Sequence, residues 1–461
     1  MHFLDWTVLL LYLIALIVIG FYRSRKTRDS SEEYILAGRR LSLPAFVATL
    51  VATWYGGILG VGENTFNFGI QTWFIFGLPY YIFAVLFAVW LAPKIRETRS
   101  VSIPDHFQTH YGKKPGLISA VFILILASPA PYILSIGVLI QFVLGLPFIW
   151  ALILSTAISL VYIWFGGFGA VVRTDVLQFT LMFGGFIVLV GFAWNQAGSP
   201  WVIIEQLPAQ HRSITGGHSV QYILVWFFIA LWTFIDPGFY QRCAAARSPQ
   251  TARRGILISI LFWFVFDMLT LASGLYARVL IPDGNALFAY PILGQLLLPP
   301  FVYGLFLTGI LATIMSTIDS LGLISAVTFG RDIMWKIRKD SDQSLSQDST
   351  RLMQQGLAVM AIIAIFLAYS LPSVVGLWYV IGSLIVPGLL IPFLLTFTNH
   401  TLSETQALLL LLLPVIVAGT WFVCGNFGRN YPLNIEPFYP GLLSSALLLL
   451  LFGFTTHEIR D

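Results

Sequence analysis

The sequence predicts an all-α integral membrane protein of about 13 transmembrane helices, and three observations predict it. Of the 461 residues, 57% are hydrophobic and only 10% are charged, with a mean hydropathy of +0.84, which soluble domains do not show. The apolar residues come in runs near the roughly 20 residues of one helical crossing, not in the alternating segments of about ten that build membrane barrels. When the runs are threaded in order, all 25 lysines and arginines except Arg212, Arg278 and Arg429 fall on one side.

The first run, 3–22, follows Met1 with Asp5 in place of a basic flank and has no small-residue cleavage site, so it reads as a retained, additional N-terminal helix. Five runs follow at 44–62, 73–92, 116–144, 147–165 and 175–195. Five more lie at 220–240, 255–281, 300–330, 355–371 and 373–398, and two C-terminal helices at 405–425 and 440–456 complete the set. They leave no room for a soluble domain, so residues 1–461 read as one transmembrane domain. The only sizeable polar insert, KIRKDSDQSLSQDST, has mixed charge, cannot build a core and reads as a cytoplasmic loop.

The one-sided bases fix an odd number of spans, with the N-terminus outside and the C-terminus cytoplasmic in a plasma membrane such as a bacterial inner membrane. The net charge of +4 belongs to these loops, so no nucleic-acid partner is implied. Cys243 and Cys424 fall on opposite sides, which excludes a disulfide between them.

Two spans carry their own interruption. In FVATLVATWYGGILGVGENTF the pair Gly56–Gly57, with Gly60 and Gly62 near, lets the helix unwind and expose carbonyls around 52–55; small residues also serve close helix packing. In WTFIDPGFYQR the run Asp236–Pro237–Gly238 breaks the seventh span. Interruptions in the second and seventh spans, which run in opposite directions, predict an inverted 5+5 repeat. Spans two to six (44–195) pair with spans seven to eleven (220–398), with a binding site at mid-membrane.

The ninth span holds ATIMSTIDSLGLISAVTFGRDI, in which Thr313, Ser316, Thr317 and Ser320 fall at i, i+3, i+4 and i+7 on one helical face, with Asp319 on its flank. Single hydroxyls in a span often bond to their own helix or to a neighbour. An acid at that depth is normally tied to a cation, a proton or a pathway, and hard alkali cations take oxygen ligands. This stripe, with the unwound second span opposite, therefore reads as a sodium site.

Five stretches in order, YILAGRRLSLP, SVSIPDHFQTHYG, GGFGAVVRTDVLQ, DPGFYQRCAAARSP and MSTIDS…RDI, give the chain its resemblance to the sodium/solute symporter family. The resemblance implies a leucine-transporter-type fold and sodium-driven uptake of a small organic solute by alternating access. It also implies a main sodium site of the Ala52, Tyr55 and Thr313 carbonyls and the Ser316 and Thr317 hydroxyls. A second ion site, found in some members, would fall on Asp175, Ser316, Asp319 and Ser320. Asp175 at the start of the sixth span would also suit the helix dipole with no ion present.

The solute would lie between the broken spans, near Gly56, Gly57, Trp232, Asp236, Tyr132 and Gln141. Trp232 and Tyr132 also suit simple packing, and Asp236 either an amine-bearing solute or a basic loop residue. Glu63 and Asp267 have no evident partner. The expected partners are a small solute, sodium as coupling ion and the lipid bilayer, with no obligatory protein partner. Two alternatives compete: a proton-coupled symporter using Asp319 or Asp175, and a transporter-like sensor that moves nothing. An enzyme is excluded, because no histidine and acid pair lies in a span at metal-ligand spacing.

Overall fold

The computed structural model describes residues 1–21, 31–338, 347–425, 427 and 430–452. Most of the polar insert, and Arg23, Arg25, Lys26, Arg28, Lys339, Arg429 and Arg460, lie outside them. Every described element is helical apart from one isolated backbone bridge. Ten helices are long and apolar enough to cross a membrane, eleven when one bent pair counts as a single span. The other two expected spans coincide with the shorter apolar stretches Phe148–Ile158 and Phe438–Phe452.

The helices used below are α1 (Phe3–Phe21), α2 (Leu43–Trp54), α3 (Ile58–Phe68), α4 (Leu78–Leu86), α5 (Ile103–Tyr111), α6 (Lys113–Leu126), α7 (Ala130–Leu144), α8 (Phe148–Ala197), α9 (Val220–Ile229), α10 (Pro237–Ala245), α11 (Pro249–Leu280), α12 (Val302–Val327), α13 (Gln347–Ser370), α14 (Val374–Leu395), α15 (Glu404–Cys424) and α16 (Phe438–Phe452). The second span is broken as expected: α2 and α3 meet at an angle of 56° around Tyr55–Gly57. The seventh is broken by Asp236, which takes an extended conformation ahead of Pro237, the first residue of α10. The fourth span is also interrupted, at Ser128–Pro129 between α6 and α7.

Spans five and six follow one another with no intervening loop, as two helices within the stretch α8 that meet at a break at Gly167, whose φ is +56°. A Cβ there would fall 2.6 Å from the Tyr34 ring, so glycine serves both the conformation and the contact. Arg173, expected in a loop, is therefore inside a helix.

The most enclosed element is α12, whose apolar window is wholly buried. It packs against α8 and α1. Asp5 of α1 accepts hydrogen bonds from the backbone N–H of Phe301 (2.9 Å) and Gly304 (3.0 Å), placing a carboxylate at the N-terminal end of α12, where unpaired donors and the helix dipole favour negative charge.

At the opposite, basic end the chain before α2 is tied to the chain after α10. Leu41 N–H donates to the Ala245 carbonyl and Arg247 N–H to the Leu41 carbonyl, both at 3.0 Å. Arg39 adds a bond to Glu32 (2.8 Å) and others to the Thr98 (3.3 Å) and Arg99 (3.0 Å) carbonyls. On α5, Asp105 accepts from Lys336 (3.0 Å) and lies 3.2 Å from Arg331. Burial alone would raise the Asp105 pKa, but Arg331 and Lys336 outweigh it and hold the carboxyl at about 2.

Candidate functional site

The broken second span seats directly on the polar stripe of α12. A Cβ on Gly56 would fall 2.4 Å from the Thr317 Cβ and 2.5 Å from the Tyr132 ring, so the missing side chain is what permits the approach. Thr317 Oγ1 donates to the Thr53 carbonyl at 2.7 Å. Ser316 Oγ donates to Asp175 Oδ1 at 2.6 Å and lies 3.5 Å from Thr53 Oγ1. The Thr313 hydroxyl bonds back to the Gly309 carbonyl at 2.7 Å, which leaves the Thr313 carbonyl as its contribution. Ala52, Thr313 and Ser316 are fully buried, and Tyr55 and Thr317 nearly so. Thr53 and Gly56, at the end of α2 and in its break, thus meet Ser316 and Thr317 of α12, with the Asp175 carboxylate on Ser316.

Asp175 is not at a helix N-terminus. It lies beyond the first turn of the helix that starts at the Gly167 break, where the dipole effect has fallen away. Its carboxylate accepts from Thr49 Oγ1 as well as from Ser316, and it lies 3.9 Å from the Arg242 guanidinium. Sequence reasoning put Arg242 in a cytoplasmic loop, yet it is fully buried. Its Nη2 donates to Thr53 Oγ1 (2.7 Å), Ser320 Oγ (2.7 Å) and Thr49 Oγ1 (3.0 Å), its Nη1 to the Gly238 carbonyl (3.3 Å), and it lies over the Phe168 ring at 5.5 Å.

Asp175, Ser316 and Ser320 therefore share one polar cluster whose centre holds a protein cation. Asp319 is fully buried on α12. A second unit cation about 4 Å from the guanidinium would meet a repulsion of about 4 kcal/mol at an effective dielectric near 20.

A cavity of about 1190 Å³, counting the solvent space in its mouth, lies beside the two breaks. Of the expected solute residues, Gly57, Tyr132, Trp232 and Asp236 line it. Gly56 is packed against Thr317 and Tyr132, and Gln141 lies in the last turn of α7, away from the lining. Asp236 has a structural partner: its Oδ1 accepts from Phe239 N–H at 2.8 Å and caps α10, with Arg242 close beside it. The lining also includes Trp54, Trp378, Asp267 and Arg242, which sequence reasoning had not assigned to the solute site. Asp267 accepts a hydrogen bond from Tyr81 Oη, and Trp378 Nε1 donates to Tyr132 Oη at 3.2 Å. Glu63, on α3, is partly buried and outside the lining. Among the described residues no three His, Cys, Asp or Glu side chains are grouped to hold a metal, and both cysteines are free.

Comparison with known proteins is consistent with this architecture. The family model described as "Sodium:solute symporter family" matches residues 34–413. A sodium/proline symporter of Staphylococcus saprophyticus is 26% identical, over 99% of this chain and 95% of its own length. A high-affinity choline transporter of Drosophila melanogaster is 24% identical, over 82% of this chain and 64% of its own length. The solved structure of a Na+-coupled sialic acid symporter in a substrate-bound outward-open state superimposes with a TM-score of 0.78 at 16% identity, covering 97% of both chains, and shares the fold.

Proposed function

The chain belongs to the sodium:solute symporter family, and from that premise we propose that it moves a small organic solute together with sodium by alternating access. It is a transporter and not an enzyme, and sodium is a transported ion. The observation that carries the reading is the seating of the broken second span on α12, with Thr317 Oγ1 2.7 Å from the Thr53 carbonyl and Gly56 against the Thr317 side chain.

In this reading sodium is held by the carbonyls of Ala52, Tyr55 and Thr313 and the hydroxyls of Ser316 and Thr317, all hard oxygen donors. Binding there draws α2 against α12. Coupling arises because that contact exists in one state of the transport cycle and not in another, since an ion bound equally by both shifts nothing. The solute occupies the cavity beside the breaks. Relatives named for proline and for choline, and a fold neighbour named for sialic acid, support a small organic solute. The two interruptions support the inverted repeat of spans two to six and seven to eleven, with the basic end cytoplasmic and the N-terminus outside. A second ion at Asp175, Ser316, Asp319 and Ser320 would meet the repulsion of Arg242.

The test is thermal stability of the purified protein in sodium against potassium at equal ionic strength, for the parent and for the Ser316→Ala/Thr317→Ala double variant. The expected result is a sodium-specific rise in Tm that grows with concentration in the parent and vanishes in the variant. A variant that keeps the full sodium response refutes the ligand assignment.

A further inference from the structure

We infer that the cavity takes an organic cation, a compact alkylammonium or quaternary ammonium headgroup held in an aromatic cage against the carboxylate of Asp236. The inference rests on the reading of this cavity as the solute site.

The first ground is charge. Two carboxylates, Asp236 and Asp267, line the cavity, and neither makes an ion pair among the described residues. The Asp267 partner is the neutral hydroxyl of Tyr81, and that of Asp236 is the backbone N–H of Phe239. The only basic residue in the lining, Arg242, is engaged by Thr49, Thr53, Ser320 and the Gly238 carbonyl, and stands 3.9 Å from Asp175. Arg242 stands near Asp236 too, since a Cβ on Gly238 would fall 2.9 Å from Asp236 Oδ1 and 3.6 Å from Arg242 Nη1, so the lining sets two carboxylates against one guanidinium that Asp175 also shares, an excess of negative charge that favours a cationic solute.

The second ground is the nature of the walls. Trp54, Tyr80, Tyr132, Trp232 and Trp378 line the same cavity as Asp236. Trp54 stands edge-on to Tyr80 with centroids 5.1 Å apart, and Tyr132 meets Trp378 at 6.3 Å. The negative faces of such rings attract an onium group that is large, weakly hydrated and unable to donate strong hydrogen bonds.

The experiment measures ligand-induced Tm shifts of the full chain in sodium buffer at fixed ionic strength. The probes are choline, tetramethylammonium, 3,3-dimethyl-1-butanol (the uncharged carbon isostere of choline), proline and glucose. The expected result is that choline and tetramethylammonium bind at least about tenfold more tightly than the isostere and than glucose. Asp236→Asn, which retains a capping oxygen, is expected to weaken choline by at least about tenfold. Choline binding no tighter than its isostere, or preference for proline or glucose over both cations, overturns the inference; this comparison needs only the parent protein. Failure of the sodium reading is separate, because it shows as a missing sodium-specific shift with no probe present.

Discussion

Replacing Arg242 by glutamine tests the charge arrangement beneath the cavity. Arg242 Nη2 and Asp175 Oδ2 are 3.9 Å apart with both side chains fully buried. At an effective dielectric near 20 that separation corresponds to about 4 kcal/mol of attraction. The value falls within the ~3–5 kcal/mol lost when one partner of a buried pair is removed. Glutamine keeps an amide donor for the hydroxyls of Thr53 and Ser320 but leaves Asp175 without its counter-charge. The same ~4 kcal/mol of repulsion is lifted from any cation entering the cluster, roughly a thousandfold in affinity. Arg242→Gln is therefore expected to be strongly destabilised in potassium and to regain stability in sodium more steeply than the parent. The Arg242→Gln/Asp175→Asn pair is expected to recover much of the loss with no sodium present. The assay is thermal unfolding in detergent across a sodium series for the parent, both single variants and the double. Single effects that add to within about 0.5 kcal/mol, together with a parent-like sodium response in Arg242→Gln, would refute the reasoning.

Two further outcomes are expected. Gly56→Ala puts a methyl group 2.4 Å from the Thr317 Cβ, so it should cost about 1–3 kcal/mol of stability and remove the sodium response, whereas Gly184→Ala, with no atom within 4 Å of the added Cβ, should leave both intact in the same thermal assay. Asp105, held at about 2 against an ordinary 3.8, contributes about 2 kcal/mol; because its folded pKa is depressed, the contribution is present above about pH 4 and lost as pH falls toward 2, and Asp105→Asn should flatten that acid limb of a stability–pH curve.

Much of this arrangement was legible in the sequence because hydropathy and glycine placement act locally. The Gly56–Gly57 pair marked the break, and the spacing of Ser316 and Thr317 marked the face of α12 that meets it. Arg242 was not legible. Counting bases by loop assumes that a charge near the end of a span reaches water, and only the tertiary packing of α10 buries this guanidinium among the hydroxyls of α2 and α12. Asp175 was misjudged for a related reason. The chain does break near there, at Gly167, but Asp175 lies past the first turn after the break and not at the terminus itself. The Asp267 partner, Tyr81, lies 186 positions away in sequence, and no local pattern joins the two.

The link between Leu41 and the chain around Ala246 is made by both polar groups of one backbone unit. Opening that end of the protein means releasing the N–H and the carbonyl of the same residue, so the latch gives way in one step and not by gradual fraying. Side-chain scanning there would report on packing as much as on these bonds, since Leu41 and Ala245 are both buried. Proline at position 41 removes the donor outright.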